Sequence, residues 1–125
     1  HGLCLAELIA ERVRFFVVRD AGRAIGCGGF APGPEQSAEL KRMYVLNGER
    51  GRGIGRRLLA HIEEQARAQG VRFMRLETGI SSPEALELYR HCGYRTRGPF
   101  GEYRPDPLCV FMEKELRDQP SPAGS

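Results

Sequence analysis

ELKRMYVLNGERGRGIGRRLLAHIEEQARAQG, residues 39–70, is the stretch from which the fold of this chain is read. Residues 39–46 read as a strand. Arg50-Gly51-Arg52-Gly53-Ile54-Gly55 forms a glycine-rich basic turn, and an amphipathic helix follows. Ile54, Leu58, Leu59, Ile62 and Ala66 recur at helical spacing on one face. Arg56, Arg57, Glu63, Glu64 and Arg67 fall elsewhere, with Glu63 and Arg67 as an i,i+4 pair and Gly70 as the helix stop. A strand that turns through glycines into a helix aims several backbone N–H groups at one point, where the helix dipole adds partial positive charge. Such a turn suits a phosphate, and Arg50 and Arg52 add charge beside it.

Three phosphate-binding patterns compete with a tight turn that holds no ligand. A P-loop needs Lys and then Ser or Thr after its last glycine, but Arg56 and Arg57 follow Gly55. A dinucleotide-binding turn needs two residues between its last two glycines; only Ile54 separates Gly53 from Gly55, although Glu77 does follow the next strand. The third pattern is R-G-x-G-x-G leading into a helix. It resembles the pyrophosphate-binding signature of the GNAT-family N-acetyltransferases, with Arg50, Gly53 and Gly55 at the defining positions.

Outward from this stretch, 125 residues suit one domain with a modest core. With 41% hydrophobic and 28% charged residues the composition is that of an ordinary globular protein. A net charge of +3, with arginines scattered and no basic run interleaved with aromatics, argues against a nucleic-acid partner. No apolar stretch has transmembrane length and no signal peptide is visible, so the expectation is a cytoplasmic protein without a membrane partner. Cys4, Cys27, Cys92 and Cys109 show no metal-ligand spacing and are expected to be buried free thiols; no metal is expected. His61 and His91 lie on helices as solvent-facing or packing residues.

Residues 2–11 are consistent with a helix end. Residues 13–19 and 24–30 read as an antiparallel hairpin about the turn at residues 20–23. Glycines inside the second strand point to a bulge or a close approach by a partner or ligand. In residues 39–46, Leu40 is out of alternation with Met43 and Val45. Either a bulge near Lys41 and Arg42 restores one apolar face, or the strand is apolar on both faces. Residues 71–78 read as a strand parallel to residues 39–46, joined by a right-handed crossover. Ser82, Pro83 and Glu84 start a second helix as N-cap, first helical position and first-turn acid. Ala85, Leu88, Tyr89 and Cys92 continue it, and Gly93 ends it. A short strand at residues 94–96, a turn-rich loop at residues 97–107 and a last strand at residues 108–116 follow. Residues 118–125 read as a flexible tail.

The second helix carries Ser82-x-x-Ala85-x-x-Leu88-Tyr89-x-x-x-Gly93-Tyr94. It is similar to the GNAT pattern Asn-x-x-Ala-x-x-Leu-Tyr-x-x-x-Gly-Phe, and the two motifs stand at that family's usual separation. The resemblance runs from about residue 15 to residue 115, with Ser82 where the family usually has Asn. It implies an α/β fold: a mixed, mainly antiparallel sheet whose central parallel unit is the family's fourth strand, third helix and fifth strand, flanked by helices. One GNAT-like domain over residues 1–117 is expected, lacking most of the family's N-terminal elements.

The resemblance further implies acetyl-CoA as co-substrate, in a wedge where the two parallel strands splay. Met43, Tyr44 and Val45 would line the acetyl and pantetheine arm. Arg50, Gly51, Arg52, Gly53, Ile54 and Gly55 would bind the pyrophosphate, with Ser82 and Tyr89 completing the cofactor site. The implied reaction is direct attack by a primary amine of a small molecule or peptide; a homodimer stays open. Tyr89 is either the general acid for the leaving thiolate or a core aromatic. As the acid, with an ordinary pKa near 10, it would set a high-pH limb of the rate. Glu39 is either the base or a surface charge at a strand end. The alternative function is a non-catalytic module that binds or senses acyl-CoA. The acceptor is not named by the sequence.

Overall fold

The computed structural model describes residues 12–46, 48 and 53–116. Among the described residues, eight elements follow in order: β1 (Arg14–Asp20), β2 (Arg23–Pro32), β3 (Ser37–Val45), α1 (Ile54–Ala68), β4 (Phe73–Gly79), α2 (Pro83–His91), β5 (Arg95–Arg97) and β6 (Cys109–Glu115). The expected helix end at residues 2–11, the tail at residues 118–125 and three turn residues, Arg50, Gly51 and Arg52, lie outside the described residues.

The strands form one sheet in the order β1-β2-β3-β4-β6-β5. Every neighbouring pair is antiparallel except β3 and β4, the parallel pair that α1 connects. That agrees with the mixed, mainly antiparallel sheet expected from the sequence. The parallel pairing is short: Ser37 faces Phe73, Ala38 faces Met74 and Glu39 faces Arg75. Beyond Glu39, β3 stays with β2 while β4 stays with β6. The two central strands therefore splay, leaving one edge of β3 open.

A bulge accounts for the broken alternation in β3. Gly29 faces Lys41 and Cys27 faces Tyr44, so Gly28 alone opposes both Arg42 and Met43. Arg42 takes the left-handed conformation, with φ 58°. The extra residue returns Met43 to the face of the buried Leu40. Gly28 is required by this packing: a Cβ there would lie 2.9 Å from Met43 Sδ and 3.1 Å from Ile62 Cδ1. The close approach to this strand is thus made by the protein's own bulge and helix.

The core lies between the sheet and its helices. Phe30, Leu59, Ile62, Met74, Leu76 and Met112 are its largest fully buried side chains. Both helices stop in the same way. After α1, the Gly70 N–H donates to the Arg67 carbonyl (3.0 Å) and the Val71 N–H to the Ala66 carbonyl (3.1 Å). After α2, Gly93 donates to Arg90 (3.0 Å) and Tyr94 to Tyr89 (2.9 Å). Gly70 and Gly93 hold φ of 87° and 96°, so each closes a Schellman motif that L side chains would strain. The spacing of Tyr89, Gly93 and Tyr94 in the second motif is therefore a helix stop with its aromatic clasp.

One helix-face assignment is corrected. Glu63 does not pair with Arg67 on the solvent side; it is buried, and Arg67 pairs with Glu64. Glu63 instead meets the Tyr94 hydroxyl and the Lys114 ammonium, each at 2.8 Å. Two donors from other elements outweigh the solvation that its charge would have on the outer face. The cysteine expectation is adjusted too. Cys27, Cys92 and Cys109 are free thiols but only half-buried, and Cys4 lies outside the described residues.

Candidate active site

Three elements converge on a cleft of about 600 Å³. Met43, Tyr44 and Val45 come from the open end of β3. Gly53, Ile54, Gly55 and Arg56 come from the start of α1. Ser81, Ser82, Pro83, Glu84, Ala85, Leu88 and Tyr89 come from α2 and the turn before it. Every described residue expected at the cofactor site lines this cleft; Arg50, Gly51 and Arg52 lie outside the described residues.

The two glycines here serve different purposes. Gly53 caps α1 with φ 74° and ψ 12°, a conformation that costs little only without a Cβ. No side chain caps the helix, and its first backbone bond runs from the Arg57 N–H to the Gly53 carbonyl (3.1 Å). The N–H groups of Ile54, Gly55 and Arg56 precede that bond, so the dipole end of α1 reaches the cleft with its donors unspent on a cap. Gly55 makes room for protein: a Cβ there would sit 3.2 Å from Leu88 Cδ2. Its absence lets α2 approach α1 closely. Ser82 is the N-cap of α2 by position, but its hydroxyl makes no capping bond, contrary to the role expected of it. Pro83, which has no N–H to cap, occupies the first turn there.

Strand alternation sets the β3 backbone. The Leu46 N–H donates to the Ile25 carbonyl of β2 (2.9 Å), so the Val45 N–H is turned to the other side, toward the splay. Tyr89 is 6% exposed, and its ring meets Tyr94 edge-on at 5.7 Å. Burial, then the neighbouring Cys92, push its phenol up to about 12. The cause is physical: burial disfavours the charged phenolate.

Glu39 stands apart from this cleft. It occupies the last paired position before the splay and lines a smaller hollow of about 270 Å³ with Lys41, Arg75, Phe100 and Gly101. Its carboxylate accepts a hydrogen bond from the Tyr103 hydroxyl (2.5 Å) and lies 3.6 Å from Lys41 Nζ. Tyr103 belongs to an aromatic cluster with Phe100 and Phe111, at centroid distances of 5.2 and 5.5 Å. Tyr103 was not singled out in the sequence, since 64 residues separate it from Glu39 and no local pattern joins them. Leu88 and Ala85, by contrast, stand in the second motif. His61 packs edge-on against Phe16 and His91 pairs with Glu87, so both remain outside the cleft.

The acetyltransferase (GNAT) family model matches residues 4–94. The chain belongs to the GNAT acetyltransferase family. It is an enzyme of the acyltransferase class. A GNAT relative from Azospirillum brasilense, named IAA acetyltransferase, is 48% identical over 93% of this chain and 76% of its own length. The crystal structure of a candidate acyl-CoA N-acyltransferase from Klebsiella pneumoniae superposes with a TM-score of 0.86 at 42% identity. That match covers 92% of this chain and 80% of the other. The PaiA N-acetyltransferase from Thermoplasma acidophilum, solved with coenzyme A, shares the GNAT fold with a TM-score of 0.76. It is 21% identical, over 89% of this chain and 68% of its own. Among the described residues, no group of three His, Cys, Asp or Glu side chains is placed to hold a metal ion, and no helix is long and apolar enough to cross a membrane.

Proposed function

We propose that this chain transfers the acetyl group of acetyl-CoA to a primary amine by direct attack. The observation that carries the reading is one cleft shared by the open edge of β3, the uncapped start of α1 and the buried phenol of Tyr89. Bound there, acetyl-CoA supplies an activated thioester. Backbone N–H groups at the start of α1 hold the pyrophosphate, with Arg50, Gly51 and Arg52 before them. Met43, Tyr44 and Val45 line the cleft where the pantetheine arm would lie. Tyr89 donates to the departing sulfur, and being held above the ordinary phenol range it keeps its proton at neutral pH. Glu39 stands at the last paired position before the splay, and from there it would take the proton of the acceptor amine through water. The acceptor is a small molecule or a peptide.

The test joins binding to turnover. Isothermal titration should show acetyl-CoA bound at one site per chain, and incubation with an amine panel should release free CoA and acetylated amine. Saturable binding with no CoA release from any amine would instead support the acyl-CoA-sensing module.

A further inference from the structure

The charged cluster behind the cleft takes no part in the reaction proposed above. Glu63 is 5% exposed, on the core face of α1. Its Oε2 accepts from the Tyr94 hydroxyl and its Oε1 from Lys114 Nζ, both at 2.8 Å. The Lys114 ammonium also lies 5.8 Å from the centre of the Tyr94 ring. Tyr94 is thus gripped at its hydroxyl by α1, over its ring by β6, and at its N–H by the Tyr89 carbonyl (2.9 Å). The ring so fixed stands edge-on to Tyr89, with centroids 5.7 Å apart and planes at 63°.

Packing alone does not call for this arrangement. Replacing a buried carboxylate and its partners by apolar side chains of the same volume is often neutral or stabilising. What polar partners add is direction, since a hydrogen bond fixes an angle where an apolar contact leaves it free. Tyr89 gains from that direction. A donor displaced by 1 Å from its reacting atom can lose about 10²-fold in rate. We propose that Glu63 and Tyr94 are positioning residues that hold the Tyr89 phenol at the angle its hydrogen bond to the departing sulfur needs, an inference that rests on the donor role proposed for Tyr89. Lys114 completes the set by balancing the Glu63 charge.

A double-mutant cycle tests this, reading kcat for CoA release from saturating acetyl-CoA, with an amine from the panel or with water as acceptor. Tyr94→Phe keeps the ring and the backbone bond and removes only the grip of Glu63. Its kcat should fall about fivefold with acetyl-CoA affinity unchanged, and the fall should disappear in a Tyr89→Phe background. Glu63→Gln, which retains an acceptor for the Tyr94 hydroxyl, should keep more kcat than Glu63→Ala, and serves if Tyr94→Phe does not fold. An equal fall in both backgrounds, or no fall at all, overturns the positioning role and leaves the donor role standing. Full kcat in Tyr89→Phe alone overturns both, and absence of CoA release from the parent chain removes the reaction itself.

Discussion

Removing one oxygen from Tyr89 is the most discriminating perturbation of the proposed chemistry. Tyr89→Phe keeps a ring that is 6% exposed and clasped by Tyr94, so the core should survive almost intact. The catalytic cost follows from two acidities. A thiol titrates near 8.5 in reference compounds, whereas burial holds the Tyr89 phenol at about 12. Complete proton transfer across that gap of about 3.5 units is uphill by about 5 kcal/mol. The phenol therefore acts chiefly as a hydrogen-bond donor to the sulfur as charge develops. A charge-assisted hydrogen bond contributes about 1.5–3 kcal/mol, so kcat should fall between about 10-fold and 10²-fold. Because the phenol stays protonated well past pH 10, the ratio of parent to variant rates should be constant from pH 7 to 10. Steady-state CoA release across that range, with acetyl-CoA affinity measured alongside, supplies the comparison. A variant with full kcat would leave Tyr89 as a core aromatic with water as donor. A parent limb near pH 10 that the variant lacks would refute the burial argument.

The remaining expectations concern the cradle, the base and alkaline stability. Gly53→Asp puts a carboxylate where the pyrophosphate would sit and should weaken acetyl-CoA binding at least about tenfold, about 1.4 kcal/mol. Gly53→Asn, which tolerates the left-handed φ of 74°, should retain most of the affinity by titration; equal affinity in both variants would remove the cradle. Glu39→Gln should lower the rate by about 10²-fold near neutral pH and less as free amine accumulates at high pH, and undiminished rates throughout would return Glu39 to a surface charge held by Tyr103. Tyr89 also links stability to pH. Its folded pKa lies above the unfolded value near 10, so folding takes up a proton; the full benefit holds below pH 10 and about 2–3 kcal/mol is lost as pH rises toward 12. Denaturant melts at pH 9 and 11 should show a loss about 1.3 kcal/mol smaller in Tyr89→Phe than in the parent, the remaining loss belonging to groups such as Tyr94, whose phenol burial and Glu63 also push up; an equal loss in the two proteins would remove Tyr89 from the linkage.

Much of the site could be read from the chain alone because its signals are local. The left-handed Gly53, the two helix starts and the glycine stops are decided within a few residues, where backbone sterics act. The bulge in β3 could also be anticipated, since Leu40 and Met43 cannot share a face without an extra residue between them. The parallel pair follows from strand, helix and strand in sequence. Tertiary packing alone decided what depends on distant partners. Glu63 reads as a surface charge until Tyr94 and Lys114, 31 and 51 residues away, close on its two oxygens. Its spacing from Leu59 and Ala66 already lay on the apolar face, but a charged residue there is inside only when donors meet it. Glu39 and Tyr89 read as one active site, yet they line separate openings, because β3 and β4 part just beyond Glu39. The acidity of Tyr89 depends on distance in the same way: burial by the fold, which no local pattern shows, pushes its phenol up.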